Sequence, residues 1–153
     1  MAFRFRFAAI LQLRRRERDE AGAAVSQALQ AIVKIEGQLA ELEGERRRAR
    51  DHADSRLVGE LSVDRLLGQG RYDLQLKAQA ESLRHTLTQL HAELGQRQQR
   101  LVEAETEVRK FEKLESQDRD AAAGRRQKRE QQQSDEFALI RHAYPIGLHQ
   151  KSP

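Results

Sequence analysis

Apolar side chains recur along this chain at alternating intervals of four and three residues. Ala21, Val25, Ala28, Ile32, Ile35, Leu39 and Leu42 form one ladder. Leu76, Ala80, Leu83, Leu87, Leu90, Leu94, Leu101, Ala104, Val108 and Phe111 form a second, interrupted at Arg97. Such spacing keeps one apolar seam on one face of an α-helix and turns it toward a single partner helix, the pattern of a coiled coil. Gly59, Gly68 and Gly70 lie between the ladders, where the chain can reverse. The pattern predicts an all-α fold: an elongated two-helix antiparallel coiled-coil hairpin with a short helical turn at the bend.

The expected elements are a helix over about 8–58, a bend over about 59–70 and a second helix over about 71–136. Together they make one domain over about 1–140, followed by a disordered tail over 141–153. Gly22, Gly37 and Gly44 lie off the seam and cost the first helix about 1 kcal/mol each relative to Ala. Each buried Leu or Ile contributes about 1.5–3 kcal/mol, so the seam carries that cost. Ser62 is placed as a helix N-cap, and Leu66 and Leu67 are expected to plug the hairpin end, with Gly68-Gln69-Gly70 closing the turn. Phe3-Arg4-Phe5-Arg6-Phe7 alternates with period two, but five residues without a partner strand make a poor strand. A helical extension is expected instead, with Phe3, Phe7 and Leu11 on one face.

Pairing Ala21 with Phe111 and Leu42 with Leu90 gives facing positions whose numbers add to 132 in both cases. That register brings Arg14 near Asp118 and Arg18 near Glu115, as partly exposed ion pairs of about 0–1 kcal/mol each. Past Phe111 and Leu114 the seam turns polar, and over residues 116–136 Ala122 is the only apolar residue at a seam position. That stretch reads as a solvated helix projecting beyond the hairpin, or one that orders on a partner.

Composition narrows the function. The 153 residues are 38% hydrophobic and 34% charged, too polar to fill the wide core of a compact body of that length but enough for a narrow seam. The absence of cysteine removes disulfides, thiolate metal sites and thiol nucleophiles. No apolar run is long enough to span a membrane, and Met1–Arg16 lacks a secretory signal pattern, so a cytoplasmic protein is expected. A net charge of +4 raises the question of nucleic acid. The cations alternate with acids, as in Arg14-Arg15-Arg16-Glu17-Arg18-Asp19-Glu20, and no stacking aromatics accompany them, so a solvated helix face is the better reading.

No catalytic or cofactor pattern survives inspection. Gly68-Gln69-Gly70 has no third glycine and no preceding strand, so it does not cradle a phosphate. His85 and His91 fall on different faces of a helix, and His52, His142 and His149 are scattered, so no metal site is expected. The many carboxylates lack a pocket that would tune them for acid–base work. Tyr72, in the first turn of the expected second helix, admits two readings. It packs over the hairpin end, or it stays exposed with Leu74 as an apolar docking patch, with Leu76 suited to the seam.

Phe3-x-Phe5-x-Phe7 with Leu11 and Leu13-Arg14, then Phe111-Glu112-Lys113-Leu114-Glu115, the Gln-rich charged helix and Asp135-Glu136-Phe137-Ala138, together resemble the flagellar export protein FliJ family over nearly the whole chain. The resemblance implies a non-enzymatic, stalk-like coiled coil of the bacterial flagellar type III export apparatus, without a cofactor. Its implied partners are the flagellum-specific export ATPase ring, the export gate membrane protein and export-substrate chaperones, with no specific nucleic acid. It also implies peripheral residence at the cytoplasmic face of the inner membrane. Tyr72 and Leu76 match the family's gate-docking positions. Phe3, Phe7, Leu11, Arg14, Arg18, Glu115, Asp118 and Phe137 lie at the end implied to contact the ring. The alternatives are the equivalent stalk of a virulence-type secretion system and a generic coiled-coil scaffold. The tail from Tyr144 to Pro153 has no clear counterpart.

Overall fold

The structure, a computed structural model, describes residues 2–55 and 62–143. It contains two α-helices, α1 (Ala8–Ser55) and α2 (Val63–Ala143), and no strand among the described residues. The fold is all-α, with the two helices packed antiparallel. Contacts group the chain into two units, Arg14–Thr106 and Met1–Leu13 with Glu107–Pro153.

In the first of these units the two ladders are the interface. Ala28, Ile32, Leu76 and Ala80 are buried, and Val25, Ile35, Leu39, Leu42, Leu83, Leu87, Leu90, Leu94 and Leu101 are half-buried. Apolar residues off the ladder, such as Leu29 and Val33, are exposed. Periodicity, not hydrophobicity alone, therefore decides which side chains leave water. Arg97 sits in the seam and donates from Nη1 to the carbonyl of Ala24 across the interface at 2.7 Å. A helical carbonyl has a second lone pair for this bond.

The contacts fix the helix direction and correct the register. Ala24 meets Arg97, Glu43 accepts from Arg84 at 2.6 Å, and Arg46 meets Asp73, so one helix runs against the other. The expected register would have set Arg97 opposite Ile35, about 16 Å along α1 from Ala24. It would also have set Arg84 against Arg48, a like-charge contact, where the observed pairing gives Arg84 an acid. Two heptad ladders can interlock at several offsets, so matching residue numbers could not choose among them. The polar contacts choose.

The start of α2 departs from the expected bend. Ser62 does precede the helix: its carbonyl accepts from the amides of Arg65 and Leu66. The helix then runs on through Gly68-Gln69-Gly70, with no glycine at positive φ among the described residues. Two glycines cost about 1 kcal/mol each, too little to stop a helix that reaches a strong ladder six residues later. Leu66 and Leu67 are consequently exposed rather than plugging an end. The bend expected over 59–70 is therefore helical from Val63 onward; its residues 59–61, and residues 56–58 at the expected end of the first helix, lie outside the described residues. At the other end α2 continues past 136 to Ala143, with Arg141 and His142 in its last turn, where cations suit the helix dipole. Of the tail expected over 141–153, residues 141–143 are helical and residues 144–153 lie outside those described.

In the second unit, Phe5, Leu11 and Val108 form a buried cluster, with Phe7 and Phe111 packed against it. The Phe5 and Phe7 rings meet edge-on at 5.8 Å, and Phe7 meets Phe111 at 6.4 Å. The guanidinium of Arg6 lies 4.6 Å from the Phe7 centroid. The expected helical extension over Phe3–Phe7 is not formed: residues 2–5 are irregular and a turn leads into α1. Burying Phe5 and Phe7 together, two positions apart, needs an extended segment, and a helix would have sent them to different faces.

Candidate functional site

Two surfaces emerge. The first lies near the start of α2. Leu76 is 4% exposed and belongs to the seam, whereas Tyr72 is 47% and Leu74 65% exposed. The proposed gate-docking pair is thus one exposed side chain and one structural one a turn apart. Leu76 anchors the helix that presents Tyr72. Val63, Leu66 and Leu67 extend the exposed apolar surface of this helix start.

Close by, Asp73 is gripped by Arg46 through two parallel bonds, Nε to Oδ1 at 3.1 Å and Nη2 to Oδ2 at 3.3 Å, with Arg50 at 4.0 Å. Hydrogen bonding from Arg46 holds the Asp73 carboxyl below its usual range and raises the Arg46 guanidinium in turn. The side chain of Arg46 is 17% exposed, better shielded than the other ion pairs of this unit. This pairing, hidden in a stretch of mixed charge, was not anticipated from sequence.

The second surface belongs to the unit that holds residues 1–13 with 107–153. Of the residues expected to meet a ring here, Leu11 is buried and Phe7 half-buried, so both support the surface rather than form it. Phe3, Asp118 and Phe137 are exposed, and Glu115 accepts from Arg119 at 3.5 Å within α2. In the other unit, Arg14 pairs with Glu17 and Arg18 with Asp19 along α1. The partners expected for Arg14 and Arg18, Asp118 and Glu115, belong to the unit of residues 1–13 and 107–153. Phe3 lines a groove of about 480 Å³ with Ala122, Ala123, Arg119, Arg126 and Arg129. The basic run from Arg125 to Arg129 was visible in the sequence, but its meeting with Phe3 required the extended N-terminal segment.

Neither surface has the enclosure or the converging donors of a catalytic pocket. Among the described residues no cluster of His, Asp and Glu could hold a metal ion, and no helix is long and apolar enough to cross a membrane. What both offer is exposed side chains on stiff helices, suited to binding. The model of the flagellar FliJ protein family matches residues 3–145.

The chain belongs to the FliJ family. No curated protein and no solved structure matches it. The family match makes it a flagellar export-associated coiled-coil protein, a component type that is non-enzymatic. Its matched span takes in the N-terminal aromatic segment, both ladders and the exposed end of α2.

Proposed function

We propose that this chain is the stalk of the flagellar type III export apparatus, binding the export ATPase ring and promoting its assembly while contacting the export gate and escorting substrate chaperones. The observation that carries this reading is the single unit made of residues 1–13 and 107–153. Its aromatic cluster holds the N-terminal segment against α2, and α2 continues from there as a solvated, charged helix that carries exposed Phe137 near its end. A mixed-charge helix seated in a ring makes many weak contacts and no single deep lock, which suits a stalk that must turn or slip. Phe3, Asp118 and Phe137 are the ring-facing candidates, with Glu115 beside them and Phe7 and Leu11 supporting Phe3. Arg14 and Arg18 contribute charge further along α1.

Gate docking is assigned to Tyr72, held in position by Leu76. Exposure of Tyr72 and Leu74 supports the docking reading over the packing one. Residence at the cytoplasmic face of the inner membrane then follows from these partners. Retention on immobilised export ATPase and on the gate's cytoplasmic domain tests the assignment. Tyr72→Ala should lose the gate and keep the ATPase, and a chain ending at Glu115 should do the reverse. If both variants hold both partners like the parent, the assignment is wrong.

A further inference from the structure

The groove lined by Phe3 lies where α2 has run out of apolar ladder. In phase with Val108 and Phe111, the intervals of four and three continue as Glu115, Asp118, Ala122, Arg125 and Arg129. Phe3, 36% exposed, and half-buried Ala122 give the groove an apolar floor. Around the helix, Arg119 and Arg125 fall on opposite sides of Ala122, and Arg129 lies two turns further along the same line. All three arginines are exposed. Arg125 and Arg129 form no ion pair among the described residues, and Arg119 is held at 3.5 Å by Glu115. Arg126, also at the rim, is engaged within the chain. We infer that this groove binds a short acidic peptide segment that carries one apolar side chain: carboxylates on Arg125 and Arg129, with Arg119 in reach, and the apolar group over Phe3 and Ala122.

Size and charge choose this occupant. The groove's volume of about 480 Å³ falls among clefts that take a small ligand, about 300–1,000 Å³. Residues 119–129 carry five cations and one acid, over about 15 Å of helix. Acids bound that stretch on both sides: Glu115 and Asp118 before it, Glu130, Asp135 and Glu136 after it. A nucleic-acid strand carries its charge on without a break and would run onto those acids. An anionic bilayer is broad and flat and would meet them as well. An extended peptide of about five residues spans about 16 Å and ends within the basic stretch. A guanidinium matches a carboxylate through two parallel hydrogen bonds, which favours carboxylates as the anions here. The arginines alone would take any small anion, whereas the floor of Phe3 and Ala122 rewards an apolar side chain between the carboxylates. The preference is a property of this chain and holds whichever protein supplies the segment.

Fluorescence anisotropy of a labelled Glu-Glu-Leu-Glu-Glu peptide, titrated with the full chain at about 50 mM salt, reads the site directly. Saturable binding of one peptide per chain is expected, with Kd of about 10–500 μM. Serine in place of the peptide's leucine should weaken it by at least about fivefold. Arg129→Glu should weaken it by at least about fivefold, and Lys128→Glu by less than about twofold. The two variants change the net charge equally at adjacent exposed positions, and Lys128 does not line the groove. Phe3→Ala should weaken the leucine peptide by at least about threefold and erase its advantage over the serine peptide. All three positions are exposed, and far-UV circular dichroism confirms retained helix. No binding up to about 1 mM chain, equal affinity for the two peptides, or equal loss in Arg129→Glu and Lys128→Glu would each overturn the proposal. So would a single-stranded oligonucleotide of the same charge, or phosphatidylglycerol vesicles, that displaces the peptide more readily than unlabelled peptide does. No other protein enters this measurement, so its failure leaves ring binding to be judged by the retention assay above, and the failure of ring binding leaves the groove to be judged here.

Discussion

Replacing Phe5 with Ala should release the N-terminal segment while leaving the ladder of unit Arg14–Thr106 intact. Residues 2–5 have no regular backbone hydrogen bonding; near them only the Ala8 amide reaches back, to the Phe5 carbonyl at 3.3 Å. The segment is therefore held by its side chains, and Phe5, 6% exposed against Leu11 and Val108, is the deepest of them. Full burial of a Phe side chain contributes about 1.5–3 kcal/mol, and the edge-on contact with Phe7 adds about 0.5–1.5. The larger cost typical of a core cavity does not apply, because this segment can peel away rather than enclose a void. A loss of about 2 kcal/mol raises the open population about 30-fold. Trypsin reads this directly, since the bonds after Arg4 and Arg6 are cleaved from the open state at a rate that follows its population. Phe5→Ala should therefore be cut after Arg4 and Arg6 about 30-fold faster, while Phe3→Ala, at a side chain 36% exposed, changes the rate by less than about threefold. Equal sensitivity of the two variants, or greater sensitivity of Phe3→Ala, would refute the extended packing and restore the helical face of Phe3, Phe7 and Leu11.

Gly68→Ala and Gly70→Ala should each stabilise the chain by about 0.5–1 kcal/mol in thermal or denaturant melts, because both lie inside α2 with nothing within 4 Å of an added Cβ; destabilisation would mean that a turn is needed there. Ala80→Leu should destabilise by about 1–3 kcal/mol, since Ala80 is fully buried in the seam and added methylenes have no room. Asp73 has a depressed carboxyl, so its pairing with Arg46 is fully formed at neutral pH and lost as pH falls through its folded value, below the ordinary carboxylate range near about 3.9. The stability difference between the parent and Asp73→Asn should accordingly be present at pH 7 and vanish on acidification; a difference that grows in acid would contradict the pairing.

Legibility in the sequence followed the strength of the underlying preference. The seam was readable because each ladder position adds its own burial: Ala28, Ile32, Leu76, Ala80 and Val108 are the ones most withdrawn from solvent. The register was not, because periodic ladders fit at several offsets, and the deciding contacts are made by long side chains such as Arg97 and Arg84 that reach past their own positions. The glycines near 68–70 misled because a glycine lowers a helix by about 1 kcal/mol without forbidding it. At the N-terminus, Phe3, Phe5 and Phe7 fit period two and, in part, period four. The choice fell to Phe5, whose partners Leu11 and Val108 lie one in α1 and the other about a hundred residues away in α2. Tyr72 and Leu74 were recognised as a candidate patch. The arginine-lined groove was not, because it depends on that same N-terminal segment.

The role as a stalk is tested most directly by the rate of ATP hydrolysis of purified export ATPase as this chain is added. The account predicts stimulation that saturates well below one chain per ATPase subunit, as a single stalk per ring requires, and that is lost when the chain ends at Glu115. An unchanged rate at every ratio, or full stimulation by the shortened chain, would contradict it.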